Sequence, residues 1–225
     1  MLFRSGFNTS AEQRLSPRWS AGVYGSYNMV TSVTSQQNDS TGWSIGPLIS
    51  YRPTRYIAIS AAVGYSVTTF ENNALLAGFT DSANFAGATY EVSVQHLATR
   101  YFNHGVTASK GTQFGYGNNF SEVTSVTYRA SANVFRSLSL SAGFMYMVSD
   151  MSQRSAITNV GGAEDIRLTL GTSYPLGRKA DIGAYYSRLM SERTLLLPTT
   201  QAGTFAERAV KIPENSVVMT LNYRF

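Results

Sequence analysis

The chain has 225 residues, of which 43% are hydrophobic, 12% are aromatic and only 14% are charged. A typical globular domain has about 25% charged residues, and a disordered chain combines low hydrophobicity with high net charge. The composition therefore excludes disorder and indicates a folded protein with little charged surface. The absence of cysteine excludes disulfides, thiolate metal sites and cysteine nucleophiles, and no apolar run approaches the roughly 20 residues of a membrane-spanning helix.

The charge balance does not indicate a nucleic-acid-binding protein. The chain has 18 basic and 13 acidic residues, a net charge of +5, but the basic residues are scattered singly. The pair Arg178-Lys179 is too short to form the basic stripe that phosphate backbones need. The polar sequence that follows Met1 has no apolar core of a signal peptide.

Two-residue alternation of apolar with small or polar side chains predicts an all-β chain. Between residues 56 and 67, Ile57, Ile59 and Val63 alternate with Ala58, Ser60 and similar small residues. Such alternation over about ten residues is typical of a strand with two different faces. In chain order we predict eleven strands, at residues 2–14, 19–30, 43–52, 56–67, 84–97, 104–115, 123–134, 137–148, 165–174, 179–191 and 216–225.

The connections between these strands alternate in length. The short ones lie at residues 16–18, 53–55, 100–104, 136 and 177–179. The longer ones, rich in Asn, Ser, Thr and Gly, lie at residues 33–42, 69–83, 116–121, 150–163 and 193–214. Tight turns at one end and long loops at the other predict an up-and-down antiparallel meander. We call these two ends the short-turn end and the long-loop end.

The polar face of the strands carries too little charge for an ordinary solvent surface. Strands of about 10–14 residues are also longer than the 5–6 that are common in soluble proteins. A transmembrane β-barrel explains both features, because its apolar face meets lipid and its small polar face lines the lumen. We therefore predict an antiparallel up-and-down transmembrane β-barrel as one domain over residues 1–225. A soluble β-sandwich is the non-membrane alternative.

Aromatic residues cluster near the short-turn end of their strands. Such positions are typical of the aromatic girdle that lies at a membrane–water interface. The residues in question are Trp19, Tyr51, Tyr56, Tyr174 and Tyr223.

The last strand carries a family resemblance. Phe225, Tyr223 and Leu221 share one face, while Arg224 and Asn222 share the other. This terminus resembles the last strand of bacterial outer-membrane β-barrels, which ends in Phe with an aromatic residue two positions before it. The resemblance implies that Tyr223 and Phe225 form the signal read by the barrel assembly machinery. It also implies a Gram-negative outer membrane, with phospholipid and lipopolysaccharide around the barrel.

Two turns extend the resemblance. Leu15–Trp19 and Phe135–Leu138 are similar to turns of porin-like outer-membrane barrels, some of which are associated with exopolysaccharide export. This implies a barrel but no particular substrate.

Strand parity raises the question of the barrel's start. If Phe225 lies on the periplasmic side, an eleven-strand count places the first strand's start outside the cell. Bacterial single-chain barrels normally have an even count, so we expect at least one strand and a signal peptide before Met1, and twelve or more strands in all. The alternative is a miscounted strand within residues 84–115.

Charged residues on the polar faces are the candidate site residues. In a small barrel they would pair into a network that fills the lumen. In a wider one they would line a pore, where the arginine excess favours anions or acidic sugars. The predicted lumen-lining set is Arg4, Glu12, Arg14, Arg52, Glu91, Arg129, Arg167 and Arg224. Lys110 and Arg188 break the alternation, which predicts a bulge or a rim position.

No catalytic, metal or cofactor site is predicted. His96 and His104 flank a short turn and could share a metal, but no third ligand is near them in the sequence. We interpret them as interfacial residues. The Asp-x-His spacing associated with the omptin proteases does not occur. The expected function is a passive channel or export conduit for polar or anionic solutes or polysaccharide. The main alternative is a structural or adhesive barrel with functional outer loops, and an autotransporter-type translocator is a further one.

Overall fold

The structure is a computed structural model that describes residues 2–32, 38–71, 83–114, 119–135, 137–155, 160–177, 179–198 and 205–223. These residues form eleven strands: β1 (Leu2–Arg14), β2 (Trp19–Ser32), β3 (Ser40–Tyr51), β4 (Ile57–Phe70), β5 (Phe85–Thr99), β6 (Phe102–Phe114), β7 (Phe120–Val134), β8 (Leu138–Ser155), β9 (Val160–Pro175), β10 (Ala180–Pro198) and β11 (Phe205–Tyr223). No helix in these ranges is long and apolar enough to cross a membrane.

The strands form one sheet in chain order, and every neighbouring pair is antiparallel. The predicted up-and-down all-β architecture is therefore confirmed. Within the described ranges, β1 and β11 stand at the two ends of the hydrogen-bonded order. Because the count is odd, these two edge strands run in the same direction, so direct pairing between them would be parallel in an otherwise antiparallel sheet.

Strand length is where the prediction was wrong. The expected loop at 193–214 is largely strand, because β10 and β11 stay paired as far as Pro198 and Phe205. The expected loop at 150–163 is also shortened, since β8 runs to Ser155 and β9 begins at Val160. Alternation marks only the part of a hairpin whose two faces meet different surroundings. Where both faces meet water, backbone pairing continues without that signal.

The short turns are fixed by local hydrogen bonds. In the first turn the backbone N–H of Leu15 donates to the carbonyl of Trp19 at 2.9 Å, and the Ser16 hydroxyl accepts from the Trp19 N–H at 3.1 Å. In the last turn Gly177 has a φ of 83°, a left-handed conformation that glycine adopts at low cost. These bonds hold adjacent strands in register at the short-turn end.

Apolar side chains lie mainly on the outside of this sheet. In the described part of the chain the buried hydrophobic residues are Val30, Phe70, Phe85 and Val123. Exposed large hydrophobic residues occur on all eleven strands, among them Phe7, Val23, Ile45, Val63, Val94, Val106, Val126, Leu140, Leu170, Ile182 and Leu221. Soluble proteins rarely expose such a continuous apolar surface, so this face is suited to lipid.

Candidate functional site

The sheet is curved around a central space. A cavity of about 590 Å³ is lined by residues of seven successive strands, from Tyr24 on β2 to Met147 on β8. A flat sheet could not bring these strands to one cavity. Strand register places the even-numbered residues of β1–β4 and β11, and the odd-numbered residues of β5–β10, on this concave face.

A second cavity, of about 780 Å³, contains three of the predicted lumen charges. Glu91, Arg129 and Arg167 line it together with small or polar residues of β5–β10. Arg167 also reaches a smaller cavity of about 270 Å³ that it shares with Glu214. These residues thus lie along one continuous wall, and all three side chains in the larger cavity are exposed.

Small neighbours leave room for the arginine side chains. Arg129 is paired in register with Gly105 on one side and Gly143 on the other, so no side chain flanks it across the strands. Among the described residues, neither Arg129, Arg167 nor Glu91 has a salt bridge or a side-chain hydrogen bond. These three charges therefore face open space and do not form the network that would fill a small lumen.

The other predicted lumen charges whose side chains are described lie near the short-turn end of the sheet, on β1 and directly after β3. The Ser20 hydroxyl donates to the Glu12 carboxylate, and the Arg14 guanidinium donates to the carbonyls of Ser16 and Pro17 at 3.2 and 3.3 Å. Arg52 lines a separate cavity at the short-turn end. The side chains of Arg4 and Arg224 lie outside the described residues. A role of the predicted set in a pore stays a prediction.

Lumen aromatics are the feature that sequence reasoning missed. Tyr24 is paired with Gly46, and its hydroxyl lies against the position that a Cβ of Gly64 would occupy. Tyr185 lies in the same way beside Gly171, where its Cδ2 would be 3.4 Å from an added Cβ. Tyr185 fills the space beside a glycine of the adjacent strand β9, and Tyr24 reaches across β3 to a glycine of β4. Only the strand register, which sets each tyrosine opposite a glycine, reveals this arrangement.

Tight packing in the described ranges is concentrated at the long-loop end of the sheet. The rings of Phe70 and Phe120 stack with centroids 6.0 Å apart, and Phe85 meets Phe120 edge-on at 5.3 Å. The side-chain amide of Asn38 donates to the Asn119 side-chain oxygen at 2.9 Å. The Asn119 amide donates in turn to the carbonyl of Ala83 at 2.8 Å. We call these residues the mouth cluster.

No protein-family model matches the chain, and no curated protein matches it in sequence. Solved structures do resemble it. The FrpB iron transporter from Neisseria meningitidis matches with a TM-score of 0.59 and 7% identity, over 99% of this chain and 48% of that one. The open form of the ferric-catecholate import receptor Fiu from E. coli K12 matches with a TM-score of 0.53 and 6% identity, over 97% of this chain and 49% of that one. OmpT of Vibrio cholerae, folded in vitro, matches with a TM-score of 0.48 and 12% identity, over 99% of this chain and 95% of that one.

The chain has the outer-membrane β-barrel fold. It spans about half the length of FrpB and of Fiu, and identities this low show the fold alone. The fold belongs to integral proteins of the Gram-negative outer membrane and places lipid against the apolar convex face.

The predicted girdle residues lie at the short-turn end: Trp19, Tyr51 and Tyr174 are on the convex face, and Tyr56 is in the turn before β4. Trp19 and Tyr51 are paired in register and stack with centroids 4.0 Å apart. Tyr174 is 46% exposed, and Tyr56 is 42% exposed with the Arg55 guanidinium 4.6 Å from its ring centre. The girdle role stays a prediction. The backbone of Tyr223 ends β11, but its side chain and all of Phe225 lie outside the described residues, so the assembly signal also stays a prediction.

The residues that broke the alternation are not at bulges. The pairing of Lys110 and Arg188 with both neighbouring strands is regular. Lys110 lies on the convex face and forms a salt bridge of 2.9 Å with Glu122. The bulge prediction was wrong, and for Lys110 the charge on the outer face is compensated by Glu122 on the adjacent strand. The rim position stays a prediction.

The two histidines also face outwards. His96 and His104 are directly paired across β5 and β6, and His96 Nδ1 lies 3.0 Å from His104 Nε2. The His104 ring stacks on Phe102 at 5.4 Å. In the described part of the chain, no three His, Cys, Asp or Glu side chains come together in a group that could hold a metal.

Proposed function

We propose that this chain forms the wall of an aqueous outer-membrane channel that passes polar solutes and prefers anions. The observation that carries the proposal is the 780 Å³ cavity, into which Arg129 and Arg167 project without an ion-pair partner among the described residues. A polar wall with unpaired charges keeps a lumen wet and sets its ion preference. The proposed role is passive, with neither catalysis nor a cofactor.

The sign of the charge favours anions. Glu91 offsets one of the two arginines in this cavity, so the three groups together carry one net positive charge at neutral pH. Guanidinium groups present fixed N–H donors that match carboxylates and phosphates. The solutes best suited to this wall are small anions or acidic sugars, including an anionic polysaccharide in the case of export.

Planar-bilayer recording in a KCl gradient tests the proposal. The wild-type chain should conduct, with a reversal potential nearer the equilibrium potential of chloride than that of potassium. R129Q/R167Q should shift the reversal potential towards the equilibrium potential of potassium. K211Q is the matched control, because Lys211 is an exposed cation whose ion pair lies on the convex side. A reversal potential unchanged by R129Q/R167Q would contradict the anion preference.

A second function is favoured by the mouth cluster. Phe70 and Phe85 are 7% and 5% exposed, a degree of packing that would suit a closed lumen. We infer from it, as the alternative, a structural or adhesive barrel whose outer loops contact the environment. The same recording separates the two, since an assembled wild-type chain without conductance would support the structural role.

A further inference from the structure

Apolar side chains interrupt the polar lumen wall in the 590 Å³ cavity. Met145 and Met147 of β8 line this cavity on one side, and Tyr24 and Leu48 of β2 and β3 line it on the other. The register places all four on the concave face, where serine, threonine and glycine are common. A channel for small polar anions accounts for the arginines of the neighbouring cavity but not for this apolar surface.

The methionines lie beside the arginine cavity. Met145 is directly paired with Arg167 across β8 and β9, and Gly143, two residues before Met145, is paired with Arg129. Side chains that are paired on one face of a sheet are neighbours. Met145 also lines both the 780 Å³ and the 590 Å³ cavity, so the guanidinium groups and the apolar surface adjoin along β8.

Along β8 the arginine-flanked part comes first and the apolar part follows. The strand runs from the short-turn end to the long-loop end, so Met147 lies farther from the short turns than Met145 does. In register, Met147 is flanked by Ser125 and by Asp165, which is 8% exposed and does not line the cavity. The apolar part of the wall therefore extends towards the mouth cluster with no cavity-lining charge directly beside Met147.

Glu91 determines how an anionic solute would be oriented here. It lines both cavities from β5 and repels a negative group placed near it. Arg129 and Arg167, on β7 and β9, donate strong hydrogen bonds to a carboxylate. We therefore expect the carboxylate of a solute at the arginines and its uncharged part against Met145 and Met147.

We propose that the two adjoining cavities bind a small amphipathic anion, a monocarboxylate that carries a hydrocarbon chain or ring. The carboxylate binds Arg129 and Arg167, and the hydrocarbon packs against the methionines, whose flexible side chains adapt to varied shapes. The inference rests on the proposed function, because it names the solute class of the same arginine cavity. Binding does not require that the solute pass through, so it can be measured apart from conductance.

Equilibrium dialysis of the refolded full chain in a neutral detergent tests the site, with protein-free micelles as the blank. Hexanoate and gluconate are the probes, because they share the same charge and number of carbon atoms but differ in hydroxyl groups. The wild type should bind hexanoate roughly tenfold more tightly, the gain expected when about 60 Å² of apolar surface leaves water. M145S/M147S should abolish that difference, and R129Q/R167Q should weaken the binding of both anions.

M219S is the matched control, because Met219 is 81% exposed on the convex face of β11. M219S should bind hexanoate as the wild type does, and so should M145L/M147L, which keeps the apolar surface. A loss in either variant as large as that of M145S/M147S would overturn the proposal. If the double serine variant does not fold, M147S is measured alone, with about a threefold loss expected for half of the apolar contact.

The two proposals fail in different ways. A reversal potential that R129Q/R167Q does not shift contradicts the anion-selective channel and leaves hexanoate binding standing. Equal affinity of the wild type for hexanoate and gluconate, or no binding of hexanoate, overturns the amphipathic solute even when the chain conducts chloride.

Discussion

The side-chain amide of Asn38 hydrogen-bonds the side-chain oxygen of Asn119 at 2.9 Å, although 81 residues separate them in the chain. Asn38 precedes β3, and Asn119 precedes β7, so the bond joins two parts of the wall that are four strands apart. Both side chains are buried, at 6% and 4% exposure. A buried polar pair is costly to separate, and this bond therefore helps to hold the long-loop end together.

The mouth cluster should control how wide the long-loop end is. F85A removes a ring that packs edge-on against Phe120 and is 5% exposed. We expect a higher single-channel conductance, because the ring lies on the concave face, and an unfolding free energy lower by about 3 kcal/mol. Bilayer recording and denaturant titration in micelles measure the two effects.

Phe7 supplies the control for that experiment, because it is 66% exposed on the convex face of β1. F7A should leave the conductance unchanged. If F85A and F7A give the same conductance as the wild type, the mouth cluster does not narrow a conducting path.

Close contact between β3 and β4 should depend on glycine. A Cβ at Gly46 would collide with the backbone carbonyl oxygen of Val63, and it would lie 2.6 Å from Cα of Gly64. Backbone cannot move aside as a flexible side chain can, so G46A should reduce the yield of folded protein or separate the two strands. Heat-modifiable migration on gels and circular dichroism report that yield.

Gly111 provides the matched comparison, since nothing lies within 4 Å of an added Cβ there. G111A should fold as the wild type does. A folded yield of G46A equal to that of G111A would show that β3 and β4 can separate without cost.

The two faces should respond differently to the same new charge. Leu170 is 58% exposed on the convex face, four residues along β9 from Tyr174 and so roughly 9 Å deeper for a tilted strand. L170R should lower the unfolding free energy in lipid vesicles by about 2–4 kcal/mol. T169R, next to it in sequence, places the charge in the large cavity and should cost less than 1 kcal/mol, on the order of a surface change. Equal effects of the two substitutions in vesicles would argue against lipid on the convex face.

The alternation of small polar and apolar residues was enough to predict eleven strands, their order and the face that meets lipid. Ile57, Ile59 and Val63 sort to one side within a single strand, so no distant contact is needed to place them. The same local signal placed Glu91, Arg129 and Arg167 on the opposite face. It failed for the outer hairpins, where Leu195–Pro198 pair with β11 without a regular two-residue pattern.

Register and curvature decided what the strand pattern could not. The pairing of Tyr24 with Gly46, the bond between Asn38 and Asn119, and the cavity that Arg52 shares with His96 all join residues far apart in the chain. By itself, the sequence determined that one strand face is apolar and the other polar, because a side chain's face depends only on whether its position is odd or even. Which polar side chains meet, and whether a charge is paired or faces open space, depends on how far each strand slides along its neighbour. Only the tertiary structure decides that.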